Sequence, residues 1–353
     1  MKKTILILFG GKSSEYEVSL SSATGAIENM DMSRYDVCFC GITREGRMYW
    51  FEDDPAMIAA DTWRSGKKYP LSVDFSDGTV VVLRESGPEH VRIDAVLPMI
   101  HGKFCEDGTM QGLFAVAGIP VVGCDCQSSA VCMDKAAAKA IVAGETSVSL
   151  ARAVVVKADA VRGAGDLQRI REEAERKFGY PMFVKPSRAG SSVGVSKVKS
   201  ADTFDEAVRA ALREDTKVLV EECIVGREIE VAVLEEHGVY TVAHPAEIDT
   251  GSSEFYDYET KYISDASSFY IPARLSPEKQ DEVRRYAEEI FRALDCRGFA
   301  RVDFFFRDKD GTFVFNEINT LPGFTPISMY PKMMVNDGIS YPDLLSRLIE
   351  SAL

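Results

Sequence analysis

Two short segments near the carboxyl end carry the residue types that a divalent metal needs, Gly298-Phe-Ala-Arg-Val-Asp-Phe-Phe305 and Phe313-Val-Phe-Asn-Glu-Ile-Asn319. On a strand, alternate side chains share a face, so Arg301 sides with Asp303 and Glu317 with Asn319. If the two strands pair, Asp303, Glu317 and Asn319 converge as an all-oxygen cluster. Such hard donors suit Mg²⁺ or Mn²⁺ and leave places for phosphate oxygens and water. A solvated polar face is the plain alternative, but Phe304, Phe306, Phe313 and Phe315 assign the opposite face to a core. Lysines supply the complementary charge. Lys185 ends an apolar strand beside Pro186, and a buried ammonium is costly unless it meets an anion, so it is expected to face phosphate. Lys135 opens a helix behind Asp134, a good N-cap residue. Gly190-Ser-Ser-Val-Gly194 follows, and its backbone N–H groups and hydroxyls, Ser192 among them, can close over phosphates. Glu221-Glu222-Cys223-Ile224 ends a strand between two lobes, where it could offer hydrogen bonds to an adenine.

Other phosphate devices are missing. Gly10-Gly11-Lys12-Ser13 ends like a P-loop, but Leu6 stands where the first glycine is required; nor is there a GxGxxG fingerprint. A strand followed by two glycines at the foot of a helix can still bind an anion, or simply turn the chain for packing.

The elements that must position these residues alternate. Strands are expected at 4–9, 35–43, 94–100 and 120–122, with helices at 19–29 and 108–117, the pattern of an open parallel α/β sheet. Residues 45–90 are polar and strand-like, a peripheral insertion. After Met133 come an N-capped helix at 135–141, strands at 151–156, 180–186 and 218–223, and helices at 167–178 and 202–213. The last third has strands at 228–235 and 239–248, a polar loop over 249–268 and a helix at 277–294. Strands at 299–306 and 312–318 precede a terminal helix at 341–351. Three lobes are expected, over 1–134, 135–224 and 225–353.

Composition excludes several classes. The 353 residues carry a net charge of −14 and a pI near 4.9, a surface that repels phosphate backbones, so nucleic acid is not an expected partner. Hydrophobic content of 46% with 27% charged residues is that of a globular chain and not of a disordered or fibrous one. The apolar run at 4–9 is far shorter than the roughly 20 residues that span a bilayer. It leads into Gly-Gly-Lys instead of a cleavage site, so neither a membrane span nor a secretory signal is expected. Eight cysteines form no CxxC pair and only four histidines accompany them, which favours reduced thiols in a cytoplasmic protein over a zinc site.

Lys135, Lys185, the GSSVG loop, Glu221–Glu228 and RVDFF…NEINT, in that order, resemble the ATP-grasp fold. Four further motifs narrow the resemblance to the D-alanine–D-alanine ligases, close to their D-alanine–D-serine branch, from Lys3 to about Leu348. They are Gly10-Gly-Lys-Ser-Ser-Glu-Tyr-Glu-Val-Ser19, His101-Gly102, Glu106-Asp-Gly-Thr-Met-Gln-Gly112 and Tyr256-Asp-Tyr-Glu-Thr-Lys-Tyr262. The resemblance implies three lobes with ATP between the second and third. Lys135, Lys185 and Ser192 would then meet the phosphates, Glu221, Glu222 and Ile224 the adenine, and Glu228 the ribose. Asp303, Glu317 and Asn319 would hold two Mg²⁺ (or Mn²⁺). In such enzymes the carboxylate of a first D-alanine attacks the γ-phosphate, giving an acyl phosphate that the amine of a second D-alanine then attacks.

The same resemblance makes Glu15 the anchor of the first D-alanine's ammonium, with Val18 and His101 nearby. A Glu15–Ser191–Tyr262 bridge would tie the 249–268 loop down and exclude water, and Lys261 would reach the γ-phosphate. Arg301 and the Gly323 N–H would stabilise the oxyanion, and Ser328 and Met329 would border the second substrate. Relatives that make D-alanine–D-serine carry Phe at Tyr256 and Arg at Met329, and those that make D-alanine–D-lactate replace the YDYxxKY loop, so D-alanine is expected at both positions. Homodimeric assembly is implied as well. The stretch from Gly144 to Ala151 departs from the pattern, with Ser149 and Leu150 where a proline is usual. A nucleotide-binding regulator without turnover would need an eroded metal ligand or phosphate lysine, and none is visible.

Overall fold

The computed structural model describes residues 2–249 and 268–353. Tyr256, Lys261 and Tyr262, and with them nearly all of the 249–268 loop, lie outside the described residues. Three sheets organise the rest, in the mixed α/β manner expected.

The first sheet grows from Lys3–Gly10, which runs parallel to Tyr35–Ile42 on one side and Ala95–Pro98 on the other. Both faces of that strand are covered, which is why it reads as an unbroken apolar run; Ile5 to Phe9 are all fully buried. The stretch at 120–122 contributes only a single parallel bridge, Val96 to Val121. Residues 45–90 are not peripheral. Met48–Phe51, Lys68–Asp74, Thr79–Arg84 and Gly87–Arg92 continue the same sheet as antiparallel strands. Their anchor is Trp63, fully buried and edge-on to Phe9 at 5.1 Å and Phe51 at 6.3 Å. Gly41 leaves room for that indole, since a Cβ there would lie 2.5 Å from its ring.

The second sheet is antiparallel, in the order Ser196–Val198, Met182–Pro186, Lys217–Glu222, Ala153–Lys157. The helices Ala164–Lys177 and Phe204–Glu214 share a core with it through Leu167, Ala174, Phe204 and Val208. In the third sheet Arg227–Glu236 pairs with Phe299–Arg307, which pairs with Thr312–Asn319. The strand expected at 239–248 is interrupted. Val239–Val242 pairs with the end of Arg227–Glu236, Ala246–Asp249 with its beginning, and Ala243 N donates to Ala232 O at the break.

Two long-range returns knit the sheets together. The helix Lys135–Glu145 sends Ala138 and Val142 into the third sheet's core, and Ser149–Leu150 adds a parallel strand at its edge. Leu321, Phe324 and the helices Met329–Asn336 and Tyr341–Ala352 complete the core of the first sheet.

Candidate active site

Strict alternation along Thr312–Asn319 would put Phe313, Phe315, Glu317 and Asn319 on one face. A β-bulge separates them. Arg301 faces Asn319 and Asp303 faces Glu317, but Phe304 faces Phe315, leaving Asn316 as the extra residue. Such a bulge shifts side-chain parity by one, so Phe313 and Phe315 go into the core at 1% exposure each while Glu317 and Asn319 turn to the cleft.

On the cleft side Asn319 and Arg301 both meet Asp303, and Glu317 stands opposite Asp303 in register. Asn319 Nδ2 donates to Asp303 Oδ2 (2.9 Å), and Arg301 grips both Asp303 oxygens, from Nε to Oδ1 (2.8 Å) and from Nη2 to Oδ2 (2.7 Å). Arg301 Nε also lies 3.2 Å from Glu230 Oε2. The Lys135 ammonium sits 3.0 Å from Glu317 Oε2 and donates to Ala189 O (2.9 Å). Two carboxylates and one amide are thus gathered with two cations among them. No group of three His, Cys, Asp or Glu residues forms a metal site among the described residues; here the third donor is an amide. The donor chemistry fits Mg²⁺, which takes one or two carboxylates and leaves its remaining places to water and phosphate. The cations on Asp303 and Glu317 mark where positive charge is wanted.

Lys135 is placed by a cap. Asp134 Oδ1 accepts from Ala137 N (3.2 Å) and Ser187 Oγ (2.6 Å), and its other oxygen accepts from Lys217 Nζ (2.5 Å). Lys135 N and Ala136 N donate to Ser187, locking the helix start against the second sheet. One turn on, Lys139 emerges on the same face, as the i, i+4 spacing requires.

Two adjoining hollows meet at Lys135, Glu317 and the Gly190–Ser191 turn. The one between the second and third sheets is lined by every residue expected at the nucleotide, Lys135, Lys185, Ser192, Glu221, Glu222, Ile224 and Glu228, with Phe183 and Phe305 as apolar walls. Glu221 is deeply buried. Its carboxylate pairs with Lys139 and lies 2.6 Å from Lys185 Nζ, which also reaches Asn316 Oδ1 at 3.4 Å. Burial would raise the Glu221 pKa, but Lys139 and Lys185 together hold it at about 2. Burial pushes Lys139 down to about 8 against the pull of Glu221. Because the folded Glu221 carboxyl titrates below its ordinary 4.5, the folded state binds fewer protons than the unfolded chain in that interval. The resulting stability is complete above about 4.5 and is lost as pH falls toward about 2. Glu221→Gln is therefore expected to flatten the acid limb of a stability–pH curve in that window. Urea unfolding at stepped pH checks it, and an unchanged limb would sink it.

The second hollow gathers Glu15, His101, Ser191, Arg301, Gly323, Ser328 and Met329. Val18 lies on the helix Tyr16–Asn29, 5% exposed, and does not line it. Glu15 is the N-cap residue of that helix, and Ser191 Oγ donates to its Oε1 (2.5 Å). Gly102, at φ +72°, packs so closely that a Cβ would lie 2.2 Å from Glu15 Oε2. Ser191 and Ser192 both hold left-handed backbones, φ 49° and 57°, a conformation costing about 1–3 kcal/mol per residue that persists only where surrounding contacts fix it. His101 is buried and spans three segments, with Nε2 2.9 Å from Ser22 Oγ and Nδ1 2.9 Å from Leu321 O. Burial lowers its pKa, but Glu106, 3.8 Å away, and Glu15 raise it above the ordinary value. Ser22 Oγ in turn accepts from Phe324 N (3.1 Å), fixing the loop that carries Gly323.

Sequence reasoning passed over Lys139, Glu230 and Asn316. Lys139 follows Lys135 at helical spacing, and Glu230 shares a strand face with Glu228, so both were findable. Asn316 was findable too, since it follows the core residue Phe315 and alternation alone turns it to the cleft; the bulge adds Glu317 on the same side.

Comparison with known proteins gives matches over nearly the whole chain. Residues 4–124 match the family model described as D-ala D-ala ligase N-terminus, and residues 148–350 the one described as D-ala D-ala ligase C-terminus. The D-alanine–D-alanine ligases of Acetivibrio thermocellus and Caldicellulosiruptor bescii are each 42% identical, over 100% of this chain and 96% and 95% of their own lengths. Among solved structures, the VanG D-Ala:D-Ser ligase from Enterococcus faecalis superposes with a TM-score of 0.90 at 39% identity, covering all of both chains. The D-alanine–D-alanine ligase from Coxiella burnetii gives 0.84 at 34%, over 99% of this chain and 94% of its own.

Proposed function

The chain belongs to the D-alanine–D-alanine ligase family, and on that premise we propose that it joins two D-alanines at the expense of ATP, making D-alanyl-D-alanine for peptidoglycan precursors. The observation that carries the reading is the junction of the two hollows at Lys135, Glu317 and the Gly190–Ser191 turn, where a nucleotide's terminal phosphate would meet an amino acid's carboxylate. A carboxylate is a poor electrophile until one of its oxygens belongs to a good leaving group. Transfer of the γ-phosphoryl group gives ADP and an acyl phosphate. The second amine then forms the C–N bond, losing a proton, and inorganic phosphate leaves.

Each residue has a task in this scheme. Glu15, held by Ser191, takes the ammonium of the first D-alanine. Lys135 and Lys185 balance phosphate charge, with Ser192 at the same turn. Glu221, Glu222 and Ile224 border the adenine and Glu228 the ribose. Arg301 and the Gly323 N–H face the oxygen that becomes negative when the second amine adds, a preorganised arrangement. Asp303, Glu317 and Asn319 would hold two Mg²⁺ or Mn²⁺, which would neutralise the triphosphate. Positioning and charge balance, not a covalent enzyme intermediate, carry the rate. Tyr256, Lys261 and Tyr262 would close the site from the loop. A cytoplasmic location and homodimeric assembly complete the reading; no helix among the described residues is long and apolar enough to cross a membrane.

The likeness to a D-Ala:D-Ser ligase raises a second reading, which the far end of the hollow disfavours. Met329 is 5% exposed there. The neighbouring Ser328 hydroxyl already accepts from Thr325 N (3.0 Å) and pairs with Thr325 Oγ1 (2.8 Å). A serine side chain would bury its hydroxyl against a thioether, at about 1–3 kcal/mol. With the two amino acids in competition, kcat/KM for D-alanine as second substrate is expected to exceed that for D-serine by about tenfold or more. Product analysis showing D-alanyl-D-serine formed at a comparable kcat/KM would reverse the assignment. ATP- and D-alanine-dependent phosphate release tests the ligase reading itself.

A further inference from the structure

Three charged side chains, Lys139, Lys185 and Glu221, share one corner of the nucleotide hollow. Lys139 is 7% exposed and Glu221 4%. Lys139 pairs with one oxygen of Glu221, while Lys185 Nζ lies 2.6 Å from the other. One carboxylate therefore holds two ammonium groups, and the cluster carries a spare positive charge. Lys185 stands between two demands, since in the reading above it serves a phosphate, yet here it is bound to Glu221. A buried carboxylate whose cation leaves it is strongly penalised. With Lys139 absent, Lys185 and Glu221 would form a closed neutral pair, and a phosphate would have to break it. With Lys139 present, Glu221 keeps a counter-charge when Lys185 turns away.

We propose that Lys139 is a positioning residue that holds Glu221 neutralised so that Lys185 is released to the nucleotide's phosphates. The inference rests on the nucleotide reading of this hollow. Lys139 acts through Lys185 and needs no contact with the nucleotide, which separates its effect by ligand. Removing it should weaken ligands that carry phosphates and spare those that do not.

The test compares Mg²⁺–β,γ-imido-ATP and adenosine by calorimetry on the full chain. In Lys139→Met, affinity for the imido nucleotide is expected to fall by about tenfold or more while that for adenosine stays within about threefold. Adding Lys139→Met to Glu221→Gln should change imido-nucleotide affinity by less than about threefold, because no carboxylate remains to hold Lys185. Equal losses for both ligands, no loss for either, or the same loss in the Glu221→Gln background would each overturn the proposal. Should Lys139→Met fail to fold, Lys139→Gln, polar and of similar length, makes the same comparison. A wild-type chain that binds neither ligand would refute the nucleotide reading instead, a distinct outcome.

Discussion

Glu317→Gln is expected to leave a folded protein whose turnover at limiting magnesium falls by about 10³-fold, from the several kcal/mol that a Lewis-acid ion contributes at a transferring phosphoryl group. The substitution keeps the shape of the side chain and removes its charge. Glu317 faces Asp303 across the strand pair, and its carboxylate lies 3.0 Å from Lys135. The loss thus falls on metal affinity and on the placement of a phosphate lysine together. Raising magnesium should recover part of the rate. Phosphate release measured across a magnesium series checks this, and a near-wild-type rate at low magnesium would count decisively against the site.

Arg301 is the second large effect. Arg301→Lys keeps a cation but loses the planar fork that grips both Asp303 oxygens. Removal of one preorganised oxyanion donor costs roughly 10²–10³ in kcat, and a loss in that range is expected with KM for ATP little changed. Arg301→Met should do worse, because Asp303 and Glu230 would share a buried corner without their cation, at about 3–5 kcal/mol of stability. Steady-state kinetics of the lysine variant and thermal unfolding of both distinguish the roles. A lysine variant with wild-type kcat would remove Arg301 from the chemistry.

What could be read from the sequence follows from how local the cause is. The metal strands were legible because alternation and four phenylalanines fix two faces over a few residues. Even so, alternation alone puts Phe315 beside Glu317, and only the bulge at Asn316 separates them; a bulge leaves no mark in composition. The helix at 135–145 was legible from its Asp134 cap. Its allegiance to the third sheet was not, because Ala138 and Val142 suit any apolar surface. The antiparallel extension at 45–90 was misjudged as peripheral because its strands are short and polar on one side, while the residue that binds it, Trp63, stands alone in sequence. The roles of Glu15, His101 and Met329 came from family resemblance. Their gathering in one hollow depends on contacts as distant as His101 to Leu321, which no local rule anticipates.

The apolar heart around Ile5 to Val122 is finished by Leu321, Tyr330, Leu344 and Leu348. On a ribosome those closing side chains emerge about 220 to 340 residues after the strands they cover, a delay of roughly 10–70 s at ordinary rates of translation. During that interval the earliest-made strands have an uncovered greasy flank, a natural target for chaperones that patrol nascent polypeptides.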